Sequence, residues 1–157
     1  MCGFHSGRHG GGRGVFRIVV GVDGSDSSLA ALEWALDEAR LRSGQVQVVT
    51  VWHYPIIGDA AGRAEDYEAF GETARGVHAD ALRRASEAGV PATGEVTEGH
   101  PADVLLKTTV GADLLVVGSR GHGGFAGLFL GSVSSHAVQH APCPVLVLRA
   151  GAESVQG

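Results

Sequence analysis

Short apolar runs rich in β-branched residues alternate with longer helix-patterned segments along most of this chain, and this alternation restricts the folds open to it. Strand-like runs cover residues 16–22, 46–51, 93–98, 113–117 and 145–149, and helical spacing covers residues 28–42, 64–88, 101–111 and 132–141. Strands that alternate with helices through short links are typical of parallel sheets. The sequence therefore predicts an α/β fold, with an open five-stranded parallel sheet and helices on both faces.

Two of these segments carry more specific expectations. The third strand, 93–98, alternates between apolar and polar residues, which predicts a half-buried edge position. The long helix 64–88 should bury one apolar face, although Gly71 and Gly76 each cost it about 1 kcal/mol relative to alanine. The residues expected on that face are Tyr67, Phe70, Ala74, Val77, Ala81 and Ala85.

Segments without a pattern lie at both ends of the chain and in one internal loop. Residues 1–14 are predicted to be a flexible Gly/His-rich tail, residues 54–62 a loop, and residues 151–157 a short C-terminal tail. Residues 15–150, which include this loop, have the length of one ordinary domain.

Composition excludes several classes of function. Twelve Lys and Arg residues stand against 17 Asp and Glu residues, a net charge of −5, so no broad basic surface is available for nucleic acid. No apolar run approaches the roughly 20 residues of a membrane span, and the first residues lack the apolar stretch of a signal peptide. Cys2 and Cys143 lie at opposite ends of the chain and make no disulfide framework. We expect a cytoplasmic protein without membrane association.

A glycine-rich stretch after the fourth strand carries the clearest functional signal. Gly118 and Gly121 follow that strand, and Gly131 opens the next helix directly before Ser132. Glycines let a ligand approach main-chain N–H groups, and a helix N-terminus favours an anion, most often a phosphate. Ser132 and Ser134 would add hydroxyl donors, and Arg120 a cation. The alternative is a flexible connection in which the serines only cap a helix.

Other nucleotide and hydrolase motifs fit this stretch less well. Residues 121–126 match a dinucleotide fingerprint, but they follow the fourth strand and no acidic residue lies about 20 positions further on. A P-loop needs a Gly-Lys-Ser/Thr sequence, and the only lysine, Lys107, does not follow a glycine, which excludes a P-loop. No G-x-S-x-G nucleophile sequence is present.

The spacing Gly118, two residues, Gly121, nine residues, Gly131-Ser132 resembles the ATP-binding signature of the universal stress proteins. Residues 20–25 (VGVDGS), 99–101 (GHP) and 141–147 (APCPVLV) are similar to three further landmarks of that family. The resemblance covers residues 16–149 and implies a Rossmann-like fold of the adenine nucleotide alpha hydrolase-like type. It also implies a nucleotide held across the carboxyl edge of the sheet.

The resemblance also implies a role for individual positions. Asp23 would contact the ribose or adenine side, although a turn or helix-capping aspartate is the alternative from its local sequence alone. The nucleoside would further meet Gly21, Val22, Val51, Val117 and Gly118, and the triphosphate would be held by Gly121, Gly131, Ser132, Val133 and Ser134. Ser119 and Arg120 belong to the same site at variable positions of the signature. No catalytic residue and no protein metal ligand is expected.

The function implied by this resemblance is that of an ATP-binding, nucleotide-responsive regulatory module in a stress response. Mg²⁺ would accompany ATP, and an unidentified protein partner would recognise the nucleotide-bound state. The last strand, from Val145 to Arg149, would pair with its copy in a homodimer; the alternative is an edge covered by residues 150–157. A slow ATPase or a phosphotransferase that labels Ser132 or Ser134 is the rival function, and a flavin in the glycine loop would give a yellow protein.

Several other side chains have both a functional and a structural interpretation. His136 and His140, four residues apart on the last helix, have metal-ligand spacing but suit a solvated helix face better. His122 lies in the glycine-rich stretch and is better interpreted as a polar surface residue. Trp34 and Trp52 are candidates for stacking on adenine, although core packing is more common for such residues.

Overall fold

The computed structural model describes residues 14–54, 63–121 and 130–150. The predicted tails therefore lie outside the described residues, apart from Gly14. The same holds for His122 and for most of the predicted loop 54–62.

The described residues form five strands and four helices in the predicted order. These are β1 Arg17–Gly21, α1 Asp26–Leu41, β2 Gln45–Trp52, α2 Ala64–Glu87, β3 Ala92–Glu98, α3 Pro101–Thr108, β4 Leu114–Gly118, α4 Ser132–His140 and β5 Val145–Leu148. The strands make one parallel sheet in the order β3-β2-β1-β4-β5, which confirms the fold class and the edge position of the third strand. Among these helices, none is both long and apolar enough to cross a membrane.

The core has two layers because successive strand residues face opposite sides of the sheet. On one side, Ile18, Val20 and Val48 are fully buried beneath α1 and α2. On the other side, Val19 and Leu115 are fully buried in a second cluster with α3 and α4. Central parallel strands covered on both faces need apolar residues at almost every position, which explains the continuous apolar runs in the sequence.

The buried face of α2 differs from the prediction in its first turns. Tyr67 and Phe70 were expected to be buried but are 40% and 45% exposed, and Gly71 and His78 are buried instead. The Tyr67 ring lies 5.0 Å from that of Trp52, the last residue of β2, and its hydroxyl donates to Glu98 at the end of β3. The first turns of α2 therefore cover the ends of these strands and not the sheet between them.

Candidate functional site

A cavity of about 980 Å³ lies at the carboxyl edge of the sheet, between the ends of β1 and β4. The strand that follows β1 in the sequence, β2, lies on one side of this pair, and the strand that follows β4, β5, lies on the other side. Open α/β sheets bind ligands at such a switch point. The described walls comprise the ends of β1, β2 and β4, the starts of α3 and α4, and the first half of α2.

Asp23 lies in the turn between β1 and α1. Gly24 has a φ of +87°, a conformation that suits glycine, and it turns the chain so that Ser25 becomes the N-cap of α1. One carboxylate oxygen of Asp23 accepts from the backbone N–H of Ser25 at 2.9 Å and also from the Ser25 hydroxyl. A Cβ atom on Gly121 would lie 2.6 Å from the other oxygen, Oδ2. The turn thus holds the Asp23 carboxylate beside Gly121, which follows the end of β4.

The end of β4 is joined to the start of α1. Gly118 packs directly on the backbone of Ser27, and the Ser27 hydroxyl donates to the backbone oxygen of Arg120. This contact fixes the chain just after β4, where Arg120 lines the cavity.

The N-terminus of α4 forms the opposite wall. Its N-cap, Gly131, makes no side-chain capping bond, and no acidic residue lies in the first turn. The N–H groups of the first turn, Ser132, Val133 and Ser134, therefore present the positive end of the helix to the cavity without a side-chain cap. This is an arrangement that favours a phosphate.

Ser119 and Ser134 have a different role from the other predicted residues. The Ser134 hydroxyl is buried and donates to the backbone oxygens of Ser119 at 3.0 Å and Gly131 at 3.1 Å, so it is not a donor for a ligand. The backbone N–H of Ser119 donates to the backbone oxygen of Leu148 at 2.7 Å. The side chain of Ser119 is buried and does not line the cavity. These two serines join the end of β4 to the start of α4.

The structure brings all the predicted site residues except Ser119 to one cavity. Those on its wall are Gly21, Val22, Asp23, Val51, Val117, Gly118, Arg120, Gly121, Gly131, Ser132, Val133 and Ser134. They come from segments separated by more than a hundred residues in the sequence, and only the parallel sheet places them together.

The sequence did not indicate the wall that α2 contributes. Phe70, Thr73 and Val77 of α2 line the cavity. Trp52 at the end of β2, which the sequence named with Trp34 as a candidate for stacking on adenine, lines it as well. The Phe70 ring lies 5.4 Å from that of Tyr54 in an edge-to-face contact. Phe70 was expected in the core, and its apolar character gave no signal that it would line a cavity.

His78 is a buried polar residue next to this wall. Its Nδ1 lies 3.2 Å from the hydroxyl oxygen of Thr50, which is also buried and lines the cavity. Burial lowers the pKa of His78, and the nearby Glu95 carboxylate offsets part of this effect. Its spacing of four residues from Ala74 and three from Ala81 is the signal that predicts its burial.

The cavity wall contains few charged groups among its described residues. Asp23 is the carboxylate and Arg120 the permanent cation, and His53, His100 and His136 add titratable rings. The His136 ring lies 4.5 Å from that of His140. No group of three or more His, Cys, Asp and Glu side chains converges on a metal position within the described ranges.

Comparison with known sequences identifies relatives over nearly the whole described chain. The family model of the universal stress protein family matches residues 14–149. A universal stress protein of Mycolicibacterium smegmatis is 38% identical over 134 residues, which cover 84% of this chain and 45% of the relative. One of Thermus aquaticus is 37% identical over 138 residues, which cover 84% of this chain and 97% of the relative. The chain thus spans about half the length of the mycobacterial relatives it matches.

Solved structures share the fold. A universal stress protein in complex with cAMP has a TM-score of 0.66 and 30% identity, over 88% of this chain and 99% of the other. The universal stress protein from Archaeoglobus fulgidus in complex with dAMP has a TM-score of 0.62 and 25% identity, over 85% of this chain and 97% of the other. Both are complexes with adenine nucleotides.

Proposed function

The chain belongs to the universal stress protein family, and we propose that it is an adenine-nucleotide-binding regulatory module whose ligand is ATP. The observation that carries this proposal is the cavity at the carboxyl edge. There the Asp23 carboxylate and the N-terminus of α4, which has no side-chain cap, face the same space.

The phosphates would lie at the start of α4. Ser132 and Val133 offer backbone N–H groups at the positive end of the helix, and the Ser132 side chain is exposed. Arg120 adds a permanent positive charge on the same wall. The glycine at 131 keeps this position open, because any larger residue would extend a side chain over the N–H groups.

The nucleoside would lie toward β1 and β2. The Asp23 carboxylate suits a ribose hydroxyl or an adenine amino group, since both are donors. Val51 and Val117 present apolar strand ends, and Phe70 and Trp52 an aromatic surface, for a purine to contact. The known complexes of two family members with cAMP and dAMP support an adenine base here.

Mg²⁺ would accompany ATP and offset the charge of its phosphates. Magnesium bound with nucleotides usually takes phosphate and water oxygens and only one or two carboxylates. The described wall fits a magnesium ion that keeps phosphate and water oxygens, because it brings together no cluster of carboxylates.

The module would act by changing state on binding nucleotide, and a partner protein in a stress response would recognise the bound state. We also propose a cytoplasmic location, which suits the free thiol of Cys143. A homodimer through β5 is a further part of the proposal, because this strand forms one edge of the described sheet.

A calorimetric titration with Mg-ATP, after bound nucleotide has been stripped from the protein, tests the proposal. One-site binding should occur, and Gly131→Val should weaken it at least about tenfold by covering the donors at the start of α4. Valine fits the local backbone, with φ −74° and ψ 173°, and its Cβ would have ordinary contacts of 3.4 Å. Urea unfolding of the variant shows whether a loss of affinity reflects a failure to fold.

Gly76→Val is the matched control. A Cβ atom there would meet nothing within 4 Å, and the residue lies on an exposed part of α2. This variant should bind Mg-ATP as the wild type does. No binding by the wild type would refute the proposed function. Steady release of phosphate from bound ATP would instead favour the rival ATPase.

A further inference from the structure

His136 lies on the same wall as the proposed phosphate site. It follows Ser132 by four residues in α4, so the two side chains share one face of the helix. Both residues line the cavity, and both side chains are exposed. An imidazole in this position is one helical turn away from the N–H groups that would bind phosphate.

The charge balance of the cavity gives this position its importance. Arg120 is the permanent cation on the described wall, and Asp23 carries an opposing charge. A triphosphate brings several negative charges into this space. Protonation of a nearby imidazole would add a second cation, with charge-assisted hydrogen bonds to phosphate oxygens.

We propose that His136 is a phosphate-binding residue that takes up a proton when nucleotide binds, so that affinity for phosphorylated adenosine rises as the pH falls. This inference rests on the proposed function and adds a regulatory property to the same site. The proton comes from the solvent buffer and stays on the imidazole, whose N–H then donates to a non-bridging phosphate oxygen. No covalent bond forms or breaks.

The groups around α4 set the context for this titration. His140 is the neighbour on the same helix, with its ring 4.5 Å from that of His136. The α3 helix packs against α4, and its N-cap His100 lines the same cavity, with its Nδ1 3.8 Å from Asp103 Oδ2. Asp103 and Lys107 of α3 line a separate cleft beside β3. The β5 strand contributes only apolar residues. The other charged or titratable groups on the described cavity wall are Asp23, Arg120 and His53.

The sign of the effect follows from linkage. A phosphate beside His136 would favour the protonated ring, so the complex would bind more protons than the free protein. Affinity must then increase toward lower pH, at most about tenfold per pH unit for one proton. Adenosine lacks phosphate and should show no such dependence on His136.

The experiment is calorimetry on the full chain at pH 6, 7 and 8 with ATP, AMP and adenosine. Wild type, His136→Gln, His136→Arg and His140→Gln are compared, so that the titration of ATP itself is common to every protein. When the pH falls from 8 to 6, the ATP affinity of the wild type should rise about three- to tenfold more than the ATP affinity of His136→Gln. His136→Arg should bind tightly throughout this range, because its charge does not titrate.

His140→Gln is the matched control, since His140 lies one turn further from Ser132 and does not line the cavity. Its ATP affinity should rise between pH 8 and pH 6 as much as that of the wild type. Heats measured in two buffers of different ionisation enthalpy should show proton uptake in the wild type and less in His136→Gln.

Two results would overturn the inference while leaving the proposed function intact. One is tight ATP binding with the same pH dependence in wild type and His136→Gln. The other is a pH dependence that is as large with adenosine as with ATP. Failure of the wild type to bind any of the three ligands would refute both proposals together.

Discussion

Gly118 lies so close to Ser27 that a Cβ atom on Gly118 would be 2.7 Å from the carbonyl carbon of Ser27 and 2.8 Å from the backbone nitrogen of Ser28. This contact joins the end of β4 to the first turn of α1. Because both neighbouring atoms belong to the backbone, neither can rotate away as a side chain would. The glycine of the signature therefore has a role in packing β4 against α1, beside its proposed role in the approach of a ligand.

Gly118→Ala should accordingly lower the free energy of unfolding by about 1–3 kcal/mol or more, because overpacking against backbone must displace α1 or β4. Urea unfolding followed by circular dichroism measures the change. Gly76→Ala, where the added methyl group meets open space, should be neutral or slightly stabilising. Equal stability of Gly118→Ala and the wild type would contradict the contact.

Gly94→Ala should also destabilise the protein by about 1–3 kcal/mol, because a Cβ atom on Gly94 would overlap the imidazole ring of His78. Replacing His78 by alanine in the same chain removes the clash, so the double variant should lose less than the sum of the two single changes. A double-variant cycle of urea unfolding measures this coupling. Strict additivity would show that the ring does not lie against Gly94.

Stability should fall at low pH through His78. Burial lowers the pKa of His78 in the folded chain, so below about pH 6.5 the unfolded chain binds the proton first. The stabilising contribution is thus complete above the unfolded-state pKa and is lost as the pH falls from there toward the folded-state pKa. Urea unfolding midpoints are measured from pH 5 to pH 8. Below pH 6.5 the midpoint should decrease less steeply in His78→Gln than in the wild type. The same slope in both proteins would refute this assignment.

Asp23→Asn should weaken adenosine and ATP binding alike, by about tenfold, because in the proposed complex the lost charge faces the nucleoside and not the phosphates. Asparagine keeps a side-chain oxygen that can accept from the N–H of Ser25, so the turn should persist. Calorimetry with both ligands measures the effect, and Gly131→Val provides the contrast, since it should affect ATP much more than adenosine. An effect of Asp23→Asn on ATP alone would place the carboxylate near the phosphates.

Val147→Pro tests the proposed dimer. The backbone oxygens of Pro144 and Leu148 accept from β4, so the alternate residues Val145 and Val147 direct their backbone groups away from it. Proline at 147 removes an outward N–H that a partner strand would use and leaves the bonds to β4 intact. Light scattering should give a dimer mass for the wild type and a monomer mass for this variant. A wild-type monomer would refute the dimer.

The order and type of the elements were predictable because they depend on local patterns. Apolar runs such as that of β4, and signals such as Pro101 at the start of α3, depend on a few neighbouring residues. Most element boundaries agree with the predictions within two residues; α3 ends earlier, at Thr108. The expected face of α2 was wrong at Tyr67 and Phe70, because periodicity indicates which residues share a face and not where the helix passes the end of the sheet.

The sequence by itself determined the α/β class, the residues of the glycine signature and the presence of an anion-favouring helix start. Only the tertiary structure decided that Asp23 faces Gly121, that Ser119 and Ser134 bond to each other, and that His136 shares the cavity. The physical reason is distance along the chain. Propensity, capping and periodicity act over a few residues, whereas the strand order β3-β2-β1-β4-β5 sets which distant segments meet.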